Sequence, residues 1–165
     1  MLVIGIDPGI ARTGYGVVKQ GPDGSLTAVE YGVIKTSSEL PQATRLLEIS
    51  DQLSQLLSLH RPESAAVEKL FLREHVNSAL SVGQASGVAM LILAKAKLEV
   101  REYAPLVVKQ AICGYGGADK PQMQEMVKTL LGLEERPRPD DAADALAVAI
   151  CHIHIERTRQ RLSEA

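Results

Sequence analysis

The chain has 165 residues, 45% of them hydrophobic and 23% charged, which fits one globular domain with a proper core and excludes a disordered chain. A formal charge of -2 gives no global polycation, so a nucleic-acid partner requires a local basic surface or metal-screened acids. Aromatics are only 3% and Trp is absent, so Leu, Val, Ile and Ala must build the core; Cys113 and Cys151 lack metal-ligand spacing, exclude a disulfide scaffold and favour a reduced, cytosolic setting.

Leu2 to Ile6 is continuously apolar, as in a strand covered on both faces, and Asp7 interrupts it too early for a secretory leader. Thr13 to Lys19 reads as a second strand, Gly21-Pro22-Asp23-Gly24 as a hairpin turn, and Leu26 to Thr36 as a third strand. A helix is predicted from about Pro41 to His60, with Leu46, Leu47, Ile49, Leu53, Leu56 and Leu57 on its core side and Arg61-Pro62 as its stop. Ser64 to Glu68 is the fourth strand. A polar loop and a small-residue helix from about Asn77 to Lys97 follow; its apolar stretch Val88 to Ala94 is too short to span a bilayer. Leu98 to Tyr103 is the fifth strand. Helices at Pro105 to Ile112 and Pro121 to Leu131 flank the glycine-rich Gly114 to Gly117, and Asp140 can cap a last helix to about Arg159. Residues 1–156 are read as one domain and 157–165 as a charged tail, a candidate for disorder with no assigned role.

The order βββαβαβααα implies an α/β fold: a mixed five-stranded sheet with helices on both faces, the RNase H-like arrangement. Right-handed crossovers make the first strand central and parallel to the fourth. Asp7 and Glu68 then stand side by side at the carboxyl ends of neighbouring strands, the edge where open α/β sheets place their sites. Asp141 and Asp144 are three apart on the last helix, so one face presents both, and the mostly apolar residues after Asp144 imply that this helix is buried.

Four carboxylates this close cannot all stay ionised unaided, since each pair at about 4 Å would repel by roughly 4 kcal/mol at an effective dielectric near 20. Divalent cations reverse the sign, and all-oxygen ligands favour Mg²⁺ or Mn²⁺ over zinc. Two such ions about 3.5–4 Å apart form the usual device for phosphodiester cleavage, one activating water and the other stabilising the leaving oxygen. Three of the acids also have a plainer explanation, while Asp144, among apolar neighbours, is harder to dismiss. Asp141 can complement the helix amino terminus, Asp7 can begin a turn, and Glu68 can pair with Lys69 at the surface. Asp140 is read as a cap rather than a ligand. It is the hydrophobic setting of all four acids together that argues for a site.

Ile6-Asp7-Pro8-Gly9, Val67-Glu68-Lys69-Leu70-Phe71, Val108-Lys109-Gln110 and Asp141-Ala142-Ala143-Asp144-Ala145-Leu146 occur in this order, with Gly83-Gln84-Ala85-x-Gly87-Val88 between. Together they resemble the RuvC family of bacterial Holliday-junction resolvases over nearly the whole chain. The resemblance implies an RNase H-like fold and metal-dependent nicking of two opposed strands at a four-way DNA junction, in recombination and repair. It puts the family's metal-binding carboxylates on Asp7, Glu68, Asp141 and Asp144, where some relatives have His in place of Asp141. It implies two Mg²⁺ ions per active site, with Mn²⁺ as a substitute.

Phe71, the only phenylalanine, reads as a core anchor from the sequence alone; the resemblance makes it an aromatic that opens the junction, with Lys69, Arg73 and His75 around it. Lys109 and Lys120 read as solvated lysines until the resemblance sets them near the phosphate backbone, where their charge balances the charge developing on the phosphodiester. Arg73, Arg136 and Arg138 are candidates for outer backbone contacts. His152 and His154 read as packing or surface residues. Two symmetric nicks favour a C₂ homodimer; Ala79, Val82, Gly83, Ser86, Gly87 and Met90 supply a small-residue face that could equally pack on its own sheet. The resemblance adds RuvA and RuvB as partners, with no membrane.

Three rivals remain at this point. An actin-like ATPase needs a second lobe for which the chain has no room. A related RNase H-like nuclease would act on RNA or hybrid substrates. A non-catalytic junction-binding module is hard to square with four acids, which oppose binding of a polyanion unless they hold metal.

Overall fold

A computed structural model describes residues 1–69 and 76–163, with only the backbone described at 76–78. The elements follow in the order β1 (Leu2–Asp7), β2 (Arg12–Gln20), β3 (Leu26–Lys35), α1 (Gln42–His60), β4 (Ser64–Glu68), α2 (Val76–Lys95), β5 (Glu99–Tyr103), α3 (Pro105–Cys113), α4 (Lys120–Leu131) and α5 (Asp140–Ser163). The strands form one five-stranded sheet in the order β3-β2-β1-β4-β5. β1 is central, antiparallel to β2 and parallel to β4, as the crossover argument requires.

Alternation along the strands decides what faces what. Ile4 and Ile6 of β1, with Ala65 and Val67 of β4, turn to the face covered by Ile49, Leu53 and Leu57 of α1 and Ala85, Ala89 and Leu93 of α2. Val3 and Ala66 turn to the opposite face, covered by α3, α4 and α5. Asp7 and Glu68 share the parity of Val3 and Ala66, so both project on the α5 side. The first half of α5 is buried without interruption from Ala145 to Ile153, and the helix crosses the middle of the sheet.

The helix can do this because three sheet positions are glycine. A Cβ on Gly5 would lie 2.1 Å from the Ala145 carbonyl oxygen, one on Gly14 2.0 Å from that of Asp141, and one on Gly16 2.8 Å from Leu146. This absence of side chains lets α5 lie almost on the strand backbones.

Two expectations shift. Leu47 is 58% exposed, not on the core side of α1, because the buried stripe repeats every four residues through Ile49, Leu53 and Leu57 and Leu47 falls outside it. The last helix runs on to Ser163, so residues 157–163 of the charged segment continue α5.

Candidate active site

Asp7 ends β1 opposite Gly14 of β2. The parallel register pairs Ile6 with Val67, which brings Glu68 beside Asp7. The backbone leaving Asp7 is pinned: the Thr13 hydroxyl donates to the Gly9 carbonyl at 2.7 Å, and the Thr36 hydroxyl to that of Ile10 at 2.6 Å. Beyond Glu68, the Lys69 N–H donates to the Tyr103 carbonyl at 2.8 Å and holds the strand end in place. Gly14 under Asp141 then sets how close the start of α5 comes to these strands. Asp141 and Asp144 are each near enough to Asp7 for their charges to raise its pKa.

The electrostatics match that crowding. Burial first, and then the charge of Glu68, push the Asp7 carboxyl up to about 8, and it donates its shared proton to Glu68. Burial also raises Glu68, though the Asp7 hydrogen bond and Lys120 work against it. Asp144 is raised by burial, with Lys120 opposing. Burial disfavours the Lys120 ammonium, but Asp144 and Asp140 outweigh it and hold its pKa above the usual value.

The acids take whatever counter-charge the chain offers. Asp141 lies 3.6 Å from Arg12, and Lys120 bridges Asp140 at 3.2 Å and Asp144 at 3.3 Å. Asp119 fixes that lysine through a capping box with Gln122 at the start of α4. Among the described residues no three His, Cys, Asp or Glu side chains close on one point as a formed metal cage. Asp7, Glu68, Asp141 and Asp144 nonetheless lie close enough to act on one another's charge, and carboxylate oxygens are the donors a hard divalent cation takes.

Two recesses open beside the acids. One of about 210 Å³ is lined by Glu68, Lys109, Lys120 and Asp144, together with Val108 and Met123. The other, about 740 Å³, is lined by Arg12, Lys120, Arg136, Arg138, Asp140 and Asp141. Lys120 therefore reaches the acids directly, and Lys109 lines the smaller recess with Glu68 and Asp144. Lys69 is exposed beside Glu68. Arg136 is engaged by Glu125 at 2.6 Å. Phe71, Arg73 and His75 lie outside the described residues. Asp140 accepts from Gln124 at 2.8 Å besides pairing with Lys120, and so belongs to the rim. His152 is buried between the Ser64 hydroxyl at 3.0 Å and the Tyr103 hydroxyl at 2.8 Å, a packing role as expected.

Sequence reasoning missed Arg12. Its signal lay in the hairpin register: with Gly14 opposite Asp7, the residue that opens β2 must stand at the same edge.

A mixed sheet in the order β3-β2-β1-β4-β5, with carboxylates gathered at the shared end of β1 and β4, is the arrangement of an RNase H-like fold. The family model described as crossover junction endodeoxyribonuclease RuvC matches residues 3–152. Relatives named crossover junction endodeoxyribonuclease RuvC include that of Roseiflexus, 56% identical over 98% of this chain and 95% of its own length. That of Chloroflexus aurantiacus is 53% identical over 98% of each. Among solved structures, Thermus thermophilus RuvC superposes with a TM-score of 0.90 at 39% identity over 96% of each chain. The same protein in complex with a Holliday junction substrate gives 0.88 at 36% identity, again over 96% of each chain. The yeast mitochondrial Holliday junction resolvase shares the fold, with a TM-score of 0.66 at 16% identity. The chain belongs to the RuvC family of crossover junction endodeoxyribonucleases.

Proposed function

We propose that this chain resolves Holliday junctions in recombination and repair, cutting two opposed strands by water attack on a phosphodiester. The observation that carries the reading is the convergence of Asp7, Glu68, Asp141 and Asp144 at one sheet edge with Lys120 bonded into them. Kinship to a protein solved with a Holliday junction substrate supplies the substrate class.

Metal dependence goes with the reading, and the finer proposal is two Mg²⁺ ions, replaceable by Mn²⁺, which Asp7, Glu68, Asp141 and Asp144 would hold. When bound, they would supply an activated water and stabilise the leaving oxygen. The chain's own groups do the rest. The glycine contacts under α5 hold Asp141 and Asp144 against the strand ends. Lys120, and Lys109 across the smaller recess, offer positive charge to a phosphate entering beside Glu68. Lys69 and, on the family pattern alone, Phe71 and Arg73 contact the DNA next to the cut.

Two nicks related by a two-fold axis favour a homodimer. α2 supports this: its inner face is spent on Ala85, Ala89 and Leu93, while Leu80 and Leu91 are 64% and 54% exposed and no described residue comes within 4 Å of a Cβ placed on Gly87. RuvA and RuvB are the proposed partners, and the cytoplasm the proposed compartment. No helix among the described residues is long and apolar enough to cross a membrane.

Substrate comparison tests the reading. A four-way DNA junction, a linear duplex and an RNA–DNA hybrid are incubated with Mg²⁺ or with EDTA. Cutting of the junction alone, and only with Mg²⁺, is expected; preferential cutting of the hybrid would transfer the chain to RNA substrates.

A further inference from the structure

The larger recess is the feature that catalysis does not absorb. It lies on the β2 side of the acids, away from Lys109, and shares only Lys120 with the smaller recess. Its cations are not equivalent. Arg136 is neutralised by Glu125 at 2.6 Å, and Lys120 is divided between Asp140 and Asp144. Arg138 is exposed and makes no ion pair among the described residues. Arg12 has only a loose 3.6 Å approach to Asp141, with its side chain 56% exposed. Such an exposed pair is weak and easily exchanged for a better anion.

Two weakly engaged guanidiniums, Arg12 loosely paired with Asp141 and Arg138 acting on Asp140 only through its charge, thus face one cleft of about 740 Å³. Guanidinium forks suit phosphate oxygens bidentately. A nucleic-acid strand presents phosphates at regular intervals, so a strand with one phosphate at the acids presents its neighbours to the flanking recesses. We propose that the Arg12–Arg138 cleft seats a single non-scissile backbone phosphate of the strand being cut. It thereby sets the register that brings the scissile phosphate onto Asp7 and Glu68. The proposal rests on the junction-resolvase reading and adds to it a named phosphate subsite and the part of Arg12, which pairs with Asp141 only until that phosphate arrives.

The test measures binding, not turnover. Asp7→Asn protein is titrated against a four-way junction at fixed Mg²⁺ and varied KCl, alone and with Arg12→Gln, Arg138→Gln, Arg12→Lys or Arg161→Gln, the last being an exposed arginine at the far end of α5. Replacing both cleft arginines, Arg12→Gln with Arg138→Gln, is expected to reduce the steepness of log affinity against log salt by about 1 in all, with each single variant giving part of that, while Arg12→Lys and Arg161→Gln leave it near the parent value. Junctions with one uncharged methylphosphonate at successive positions beside the cut locate the partner. One position should weaken the parent protein and cost nothing further in the Arg12→Gln, Arg138→Gln double variant. If the cleft variants shift the slope no more than Arg161→Gln, or if every methylphosphonate penalty adds to theirs, the subsite is wrong although the protein still binds junctions. Loss of all junction binding by the Asp7→Asn parent would instead overturn the resolvase reading, and the subsite with it.

Discussion

Asp7 stands at the last position of β1, where burial and the charge of Glu68 push its carboxyl up to about 8. A group held this way destabilises the metal-free protein at neutral pH, because the unfolded chain ionises it freely and the folded chain cannot. Asn keeps the shape and removes the titratable charge. In EDTA at pH 7.5, Asp7→Asn should therefore melt higher than the parent by about 2–8 °C, the equivalent of about 1–2 kcal/mol in a domain of this size. Scanning calorimetry measures it directly, and a lower melting temperature would mean that Asp7 is a structural residue. The four acids were legible in the sequence because each follows or precedes an apolar run that gives a surface carboxylate no reason to be there. The pairing of Arg12 with Asp141 was not, since nothing in the local pattern marks a single basic residue after a turn; only the register of β1 on β2 does.

The element that brings the site together is α5. Its first two turns carry Asp141 and Asp144, and its depth on the sheet is fixed by Gly5, Gly14 and Gly16. At Gly14 an added Cβ would meet the Asp141 carbonyl oxygen at 2.0 Å, a backbone clash that no side-chain rotation relieves. Gly14→Ala should thus cost about 1–3 kcal/mol in stability, and lower junction cleavage further than the melting temperature alone accounts for. Melting curves beside single-turnover cleavage at a temperature where the variant is folded separate the two. Farther along α5, burial lowers the pKa of His152 between the Ser64 and Tyr103 hydroxyls. Below about pH 6.5 the unfolded chain binds a proton there that the folded chain refuses, so this contribution is intact above that pH and declines as pH falls through it. His152→Phe should cost about 1–3 kcal/mol at pH 7.5 by leaving the Tyr103 hydroxyl unpaired, and the difference from the parent should shrink towards pH 5. Denaturant titrations at the two pH values measure both; a constant difference would mean that His152 takes up its proton equally in the folded and unfolded chains. Element order and type were readable, because turn residues and apolar runs delimit them, and Ser64–Glu68 falls where the pattern placed it. The core side of α1 was overdrawn: leucines crowd that helix, and Leu47 shows that leucine alone does not say which face is inside.

Across the whole molecule, the two layers divide the work. The α1 and α2 side supplies a conventional aliphatic core and an outer surface with exposed Leu80 and Leu91, the face proposed above for a second copy. The α3, α4 and α5 side carries the charges and the two recesses beside the acids. No periodicity in the sequence distinguishes a small-residue face that packs inward from one that meets another chain; the structure accounts for the inner face of α2, through Ala85, Ala89 and Leu93. One measurement bears most directly on the claim that these acids hold metal for paired strand cleavage. An immobile four-way junction, end-labelled on opposed strands, is incubated with the parent protein in Mg²⁺, the parent in EDTA, and Asp7→Asn in Mg²⁺, with binding followed in parallel. Symmetric nicks in both strands from the parent in Mg²⁺ alone, with junction binding retained by Asp7→Asn, are expected. Cleavage by Asp7→Asn at the parental rate, or by the parent in EDTA, would contradict the account.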